Sequence, residues 1–186
     1  MESVDVPFVR DTIAIISLFV ASSGAAYAQA TVVLPDTSQT TTVSVSVSEQ
    51  ARVAVPAGIS FNVTNVGAST DAVAATVTID QIVLASSTKQ LRLSLRADSA
   101  SFTAPVGGET TWSASDVSWN AATWTAAAGV GGALDNSSFN TVATCDAGAT
   151  ACSTNALVFS LAAKPTVQRS GTHTLIVTWK VESIGS

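Results

Sequence analysis

The chain is poor in charged residues, which make up 11% of its 186 positions, and it contains one histidine and two cysteines. Charged residues supply about 25% of a typical soluble domain. The net charge of −5 excludes a concentrated basic surface of the kind that binds nucleic acid. One histidine and a single cysteine pair cannot supply the ligand spacing of a zinc site. We therefore expect no cofactor, no metal and no nucleic-acid partner.

The chain also lacks an apolar run long enough to span a membrane. The strongly apolar run from Ile13 to Val20 has eight residues, whereas a spanning helix needs about 20. It leads to Ala26-Tyr27-Ala28, an A-x-A sequence of the kind at which export signals are cleaved. We interpret residues 1–28 as a cleaved signal peptide, although their acidic start departs from the cationic norm. The mature protein is then expected outside the cytoplasm, extracellular or at the cell surface, with the periplasm as an alternative and no membrane span.

The two cysteines, Cys145 and Cys152, are separated by six mostly small residues. In an exported protein the expected state of such a pair is a disulfide. Closing so short a loop stabilises a fold by roughly 2–3 kcal/mol. We predict a structural disulfide because the spacing is not that of a redox or metal pair.

Alternation of apolar and polar residues dominates the chain and predicts β-strands. Val43, Val45 and Val47 indicate a first strand. In Gln90–Ala97 the three leucines are expected to face inward and Arg92, Ser94 and Arg96 outward. The closing strand, residues 172–181, is expected to bury four side chains: Leu175, Val177, Trp179 and Val181. We predict one all-β domain over residues 42–186, an antiparallel β-sandwich of immunoglobulin-like layout with about 8–10 strands.

Catalytic chemistry is weakly represented in the sequence. His173 lies at the entrance of the closing strand, and the carboxylates are scattered singly, without a calcium-binding loop. No G-x-S-x-G motif is present. We predict that the protein is not an enzyme. The remaining enzymatic alternative is an active site whose residues are far apart in the sequence and meet only in the folded chain.

Three tryptophans, Trp112, Trp119 and Trp124, fall within thirteen residues. Exposed aromatic faces can stack on sugar rings. Trp119 has the parity of a buried strand residue, whereas Trp124 is expected to be exposed at the edge of a loop. An alternative function is therefore a carbohydrate-binding module that holds a polysaccharide on Trp112 and Trp124.

The start of the mature chain has a β-prone segment, Thr31, Val32, Val33 and Leu34, within a tail of residues 29–41. Such a tail can add a strand to the sheet of another subunit, and a head-to-tail contact of this kind generates a filament. The alternative is that this segment pairs within its own sandwich. The preferred hypothesis is a secreted or surface structural protein, a filament or coat subunit or an adhesion module. It would assemble through β-strand contacts with itself or with another surface protein.

Overall fold

The computed structural model describes residues 41–185 and confirms the all-β prediction. The strands lie in the compact unit Ser46–Ser186. Within the described part there are eleven: β1 (Gln50–Ala54), β2 (Thr70–Asp71), β3 (Ala75–Val83), β4 (Gln90–Ala97), β5 (Val117–Trp119), β6 (Ala127–Gly129), β7 (Gly132–Ala133), β8 (Asn140–Cys145), β9 (Cys152–Leu157), β10 (Phe159–Leu161) and β11 (Val177–Ile184). A single 3₁₀ turn, Ala114–Asp116, precedes β5. The predicted signal peptide, residues 1–28, lies outside the described residues.

The strands form three antiparallel sheets, which is consistent with a β-sandwich. Their orders are β1-β3-β9, β2-β10-β5-β7 and β11-β4-β8-β6. The specific immunoglobulin-like layout stays a prediction. The longest pairing joins β4 to β11 over eight residues each, from Val177 opposite Ala97 to Ile184 opposite Gln90. Both β1 and β11 are edge strands of their sheets.

The core lies on the inward faces of these strands, as strict alternation requires. Val77 and Ile79 of β3 are fully buried, and Leu93 and Leu95 of β4 are at most 1% exposed. The bounds and the inward leucines of β4 are as predicted. Its outward parity is wrong at one position, because Ser94 is 2% exposed. Strand β4 lies between β11 and β8, so a small hydroxyl on its outer face is covered by its neighbours.

The predicted disulfide is present between Cys145 and Cys152, with a Cα–Cα distance of 5.9 Å. Cys145 ends β8 and Cys152 begins β9, and these strands belong to different sheets. Both cysteines are 2% exposed. The bond therefore joins two sheets inside the core.

Two strand predictions are corrected. Residues 41–49 belong to no strand, and Val43, Val45 and Val47 are exposed. The closing strand begins at Val177 and ends at Ile184, not at residues 172 and 181. Its approach contributes only an isolated bridge between Thr174 and Thr103. In both places alternation identifies a side-chain face, but regular pairing also needs a neighbouring strand.

Candidate functional site: an open apolar groove

An open groove of about 960 Å³ lies along the edge of the fold. One side, here called the loop bank, is the irregular stretch of residues 56–63 that follows β1. The other side, the strand bank, is residues 172–179, the approach to β11 and its first three residues. The floor between the banks includes side chains of the core: Leu95, Trp112, Val117, Leu134, Phe159 and Leu161. The groove therefore reaches the hydrophobic core.

Apolar side chains of both banks point inward but are only half-buried. In the loop bank, Ile59, Phe61 and Val63 alternate with exposed Ser60 and Asn62. In the strand bank the half-buried apolar side chains are Leu175, Val177 and Trp179. The prediction that the closing strand buries Leu175, Val177, Trp179 and Val181 is therefore only partly correct, because all four are half-buried. They face the core, as their parity requires, but no strand lies over them among the described residues.

The strand bank has unpaired backbone on one side. The Ile176 carbonyl accepts from the Asp98 N–H at 3.0 Å, so this residue faces the β4 side. Successive residues of a strand point their N–H and C=O groups to opposite sides. The backbone groups of Leu175, Val177 and Trp179 therefore point away from β4. Within residues 41–185, β11 pairs only with β4, so these outward backbone groups have no partner strand.

The loop bank has unpaired backbone as well. Strand β1 ends at Ala54, and no backbone hydrogen bond joins residues 56–63 to another part of the described chain. Unpaired backbone at the side of a sheet is a template for an added strand. The lining thus combines side chains of the core with two stretches of backbone that have no strand partner among the described residues, a surface that an added strand can cover.

One end of the groove is closed by packed side chains. The His173 ring lies edge-on to Trp112, with 5.2 Å between centroids, and its Nδ1 is 2.7 Å from the Thr111 hydroxyl oxygen. Gly171 has φ +137°, and a Cβ there would lie 2.8 Å from the Pro105 side chain. His173 lies four residues before β11 begins, and its contacts are those of a packing residue.

The lining of the groove carries little charge. Its ionisable side chains are His173 and Arg169, and Arg169 Nε is paired with a Glu109 oxygen at 3.1 Å. No carboxylate lines it. The groove therefore has no pair of acids for hydrolytic chemistry, and its lining, which mixes apolar side chains with neutral polar ones, suits an uncharged occupant.

A second feature is the exposed stretch of residues 41–48, here called the valine segment. Val43, Val45 and Val47 are 86%, 85% and 69% exposed, on one face of a T-V-S-V-S-V-S pattern. Isolated exposed valines are ordinary, but three at alternate positions form an apolar stripe. The stripe has the parity of a strand that buries one face.

Glu49 anchors the end of the valine segment. Its Oε1 accepts from the Ala85 N–H at 2.7 Å and from Lys89 Nζ at 2.9 Å. The Ala85 N–H, with Lys89, holds the pKa of the Glu49 carboxyl below its usual range. These partners lie in the β3–β4 connection, beside Gln90 and its partner Ile184 at the far end of β11. The groove lies by the other end of this strand pair, along Leu95, Val177 and Trp179. Glu49 and the groove are therefore at opposite ends of β4 and β11.

The predicted sugar-stacking residues do not form a platform. Trp112 is 5% exposed and its Nε1 donates to the Ala162 carbonyl at 2.9 Å, while Trp124 is 9% exposed. The expectation that Trp124 is exposed is wrong. A Cβ at Gly129 would lie 2.7 Å from the Trp124 ring, so the backbone of β6 packs directly on the indole. Small residues in this region permit that close approach.

The predicted assembly residues, Thr31, Val32, Val33 and Leu34, lie outside the described residues. The valine segment begins at the end of the same tail. The sequence pattern predicted that the valine segment is a strand of the sandwich, because alternating valines are typical of a half-buried strand. The serines and threonine that alternate with these valines were the available sign of an exposed strand. The segment they form has one apolar face, one hydroxyl face and no charge.

Two other kinds of site are absent from the described range. No three His, Cys, Asp or Glu side chains between residues 41 and 185 are placed to hold a metal ion. No helix in that range is long and apolar enough to cross a bilayer.

Comparison with known proteins adds no function to this geometry. No family model matches the chain, and neither a curated protein nor a solved structure matches it. The functional conclusion therefore depends on the groove and the valine segment.

Proposed function

We propose that the protein is a structural subunit of an extracellular filament or coat, which associates with other copies through β-strand contacts. The open groove is the observation that carries this proposal. It combines an apolar floor with two backbone edges that lack a partner among residues 41–185. A monomer with such a surface has an unpaired edge and an exposed apolar patch together, and natural proteins rarely leave both uncovered.

The export of the protein is part of the same proposal. The Cys145–Cys152 disulfide supports it, because disulfides persist mainly in oxidising compartments. The A-x-A sequence at Ala26-Tyr27-Ala28 supports it independently. Low charge and hydroxyl-rich strand faces are consistent with a protein of the cell exterior.

The carbohydrate-binding alternative lacks a supporting observation. Trp112 and Trp124 are both buried, so neither presents a ring face to a sugar. An adhesion role at the cell surface stays a prediction.

The test is electron microscopy of the purified protein at several concentrations, alongside sedimentation velocity. We expect oligomers whose length increases with concentration, and ordered filaments at high concentration. A compact monomer at every concentration, with no particles larger than one subunit, contradicts the proposal.

A further inference from the structure

Building on the self-association proposed above, we infer that the valine segment of one copy inserts as a β-strand into the groove of a second copy. The occupant of the groove is thus residues 41–48 of another identical chain. The same contact repeated from copy to copy forms an open, head-to-tail chain of subunits.

The side-chain pattern of the segment fits the groove. In a strand, Val43, Val45 and Val47 point to one face and Thr42, Ser44, Ser46 and Ser48 to the other. The valine face can cover the apolar floor, where Leu95 and Phe159 lie. The hydroxyl face then points to solvent. A fully buried position would need apolar residues on both faces, and the segment does not have them.

The length of the segment fits the groove as well. Eight residues in a strand span about 26 Å. The loop bank, residues 56–63, and the strand bank, residues 172–179, each have eight residues. A strand laid along the strand bank would therefore match its length, with the side chains of the loop bank available as further contacts.

Backbone hydrogen bonding supplies the second source of affinity. The outward N–H and C=O groups of Leu175, Val177 and Trp179 face away from β4. The loop bank offers further groups that have no backbone partner in the described chain. An inserted strand satisfies these groups, as in other cases of strand addition.

The geometry favours a second copy over the segment's own groove. Glu49 holds the base of the segment by the β3–β4 connection, through Ala85 and Lys89. The groove lies by the opposite end of β4 and β11. The attachment point of the segment, Glu49, is therefore remote from the groove of the same chain, which favours insertion into a second copy.

Charge does not oppose the insertion. Residues 41–48 contain no ionisable side chain. The groove has no carboxylate, and its arginine, Arg169, is already paired with Glu109. Insertion therefore buries no unpaired charge.

The test compares variants of the full chain by sedimentation velocity. The segment variant is V43T/V45T/V47T, which keeps the size and β-branching of each side chain but adds a hydroxyl that the groove cannot satisfy. The matched control is S44T/S46T/S48T on the opposite face. Each unsatisfied buried hydroxyl weakens association by about tenfold, so the segment variant should associate at least about a hundredfold more weakly. The control should assemble like the unmodified chain.

A groove variant tests the other partner. Phe61→Glu in the loop bank, or Leu175→Glu in the strand bank, should prevent assembly while circular dichroism shows a folded chain. Mixed with the segment variant, it should yield a dimer and nothing longer, because one chain supplies the segment and the other the groove. Failure of two folded variants to form this dimer overturns the inference.

A capping experiment does not depend on the groove variants. The segment variant retains a groove, so adding it to the unmodified chain should shorten the oligomers; the serine-face control should not. Long oligomers of the segment variant alone would overturn the inference but leave the proposed filament function, since association would then use another surface. If the unmodified chain is monomeric at every concentration, both the inference and the proposed filament function are overturned. The groove would then be filled by the segment of the same chain or would bind a different protein.

Discussion

The substitution Trp179→Ala separates a groove residue from a core residue. Trp179 is half-buried in the strand bank, whereas Phe159 in the groove floor is 2% exposed and packs against Trp119, with 6.3 Å between ring centroids. Truncating a fully buried aromatic side chain to alanine destabilises a fold by about 3–5 kcal/mol. Because Trp179 keeps part of its surface in solvent, we expect Trp179→Ala to lower the free energy of unfolding by less than this, about 2 kcal/mol. Phe159→Ala should reach the full value.

The measurement is urea denaturation followed by far-ultraviolet circular dichroism. Both substitutions are made in the V43T/V45T/V47T background, so that association does not add to the stability. Equal m-values in the two variants would indicate that each unfolds from the same structure, and the midpoints then report stability. In the unmodified background, Trp179→Ala should also weaken assembly, because an inserted strand would pack on this indole.

A loss for Trp179→Ala as large as for Phe159→Ala would refute this reasoning. It would mean that Trp179 is fully packed in the monomer and that the groove is closed along the strand bank. A loss near zero would be equally damaging, since the half-buried indole would then make no useful contact with the core.

Two further predictions concern stability. The pKa of the Glu49 carboxyl is lowered in the folded protein. The ionised carboxylate therefore stabilises the fold at pH values above the usual pKa of a glutamate, about 4.3. This contribution is lost as the pH falls through the lower pKa of the folded state. Glu49→Gln should therefore make the decrease of melting temperature with acid shallower, and an unchanged slope contradicts the role given to the Ala85 and Lys89 contacts. Replacing Cys145 and Cys152 together by serine should lower the free energy of unfolding by about 2–3 kcal/mol, measured by urea titration. A variant of unchanged stability would show that the link between the two sheets contributes nothing.

Strict alternation predicted β4 with its observed bounds, Gln90–Ala97. Its three leucines are large and apolar and its arginines are charged, so only one assignment of faces is favourable. The Cys145–Cys152 disulfide was equally predictable, because two cysteines close together in the sequence allow only one pairing within the chain. Local chemistry was sufficient in both cases.

The valine segment shows where local chemistry is insufficient. Val43, Val45 and Val47 have the same periodicity as the leucines of β4, yet they are exposed. Periodicity reports which side chains share a face, but strand pairing depends on residues far away in the sequence. The open edge of β11 results from the arrangement of three sheets and leaves no mark in the pattern of residues 172–181.

The burial of Trp124 was unpredictable for a related reason. A tryptophan followed by small residues indicates an exposed ring unless another segment covers it. Here the cover is Gly129, whose missing side chain lets the backbone of β6 approach the indole. Glycines in this region suggested a loop rather than a close contact.

The most direct measurement of the central claim is hydrogen–deuterium exchange of the assembled chain against the monomeric V43T/V45T/V47T variant. We expect assembly to slow the exchange of backbone amides in three places: residues 41–48, the loop bank and the strand bank. Protection of all three together would mean that the segment lies hydrogen-bonded between the two edges. If filaments form and the amides of Val177 and Trp179 exchange as rapidly as in the monomer, the subunits meet elsewhere and the claim is wrong.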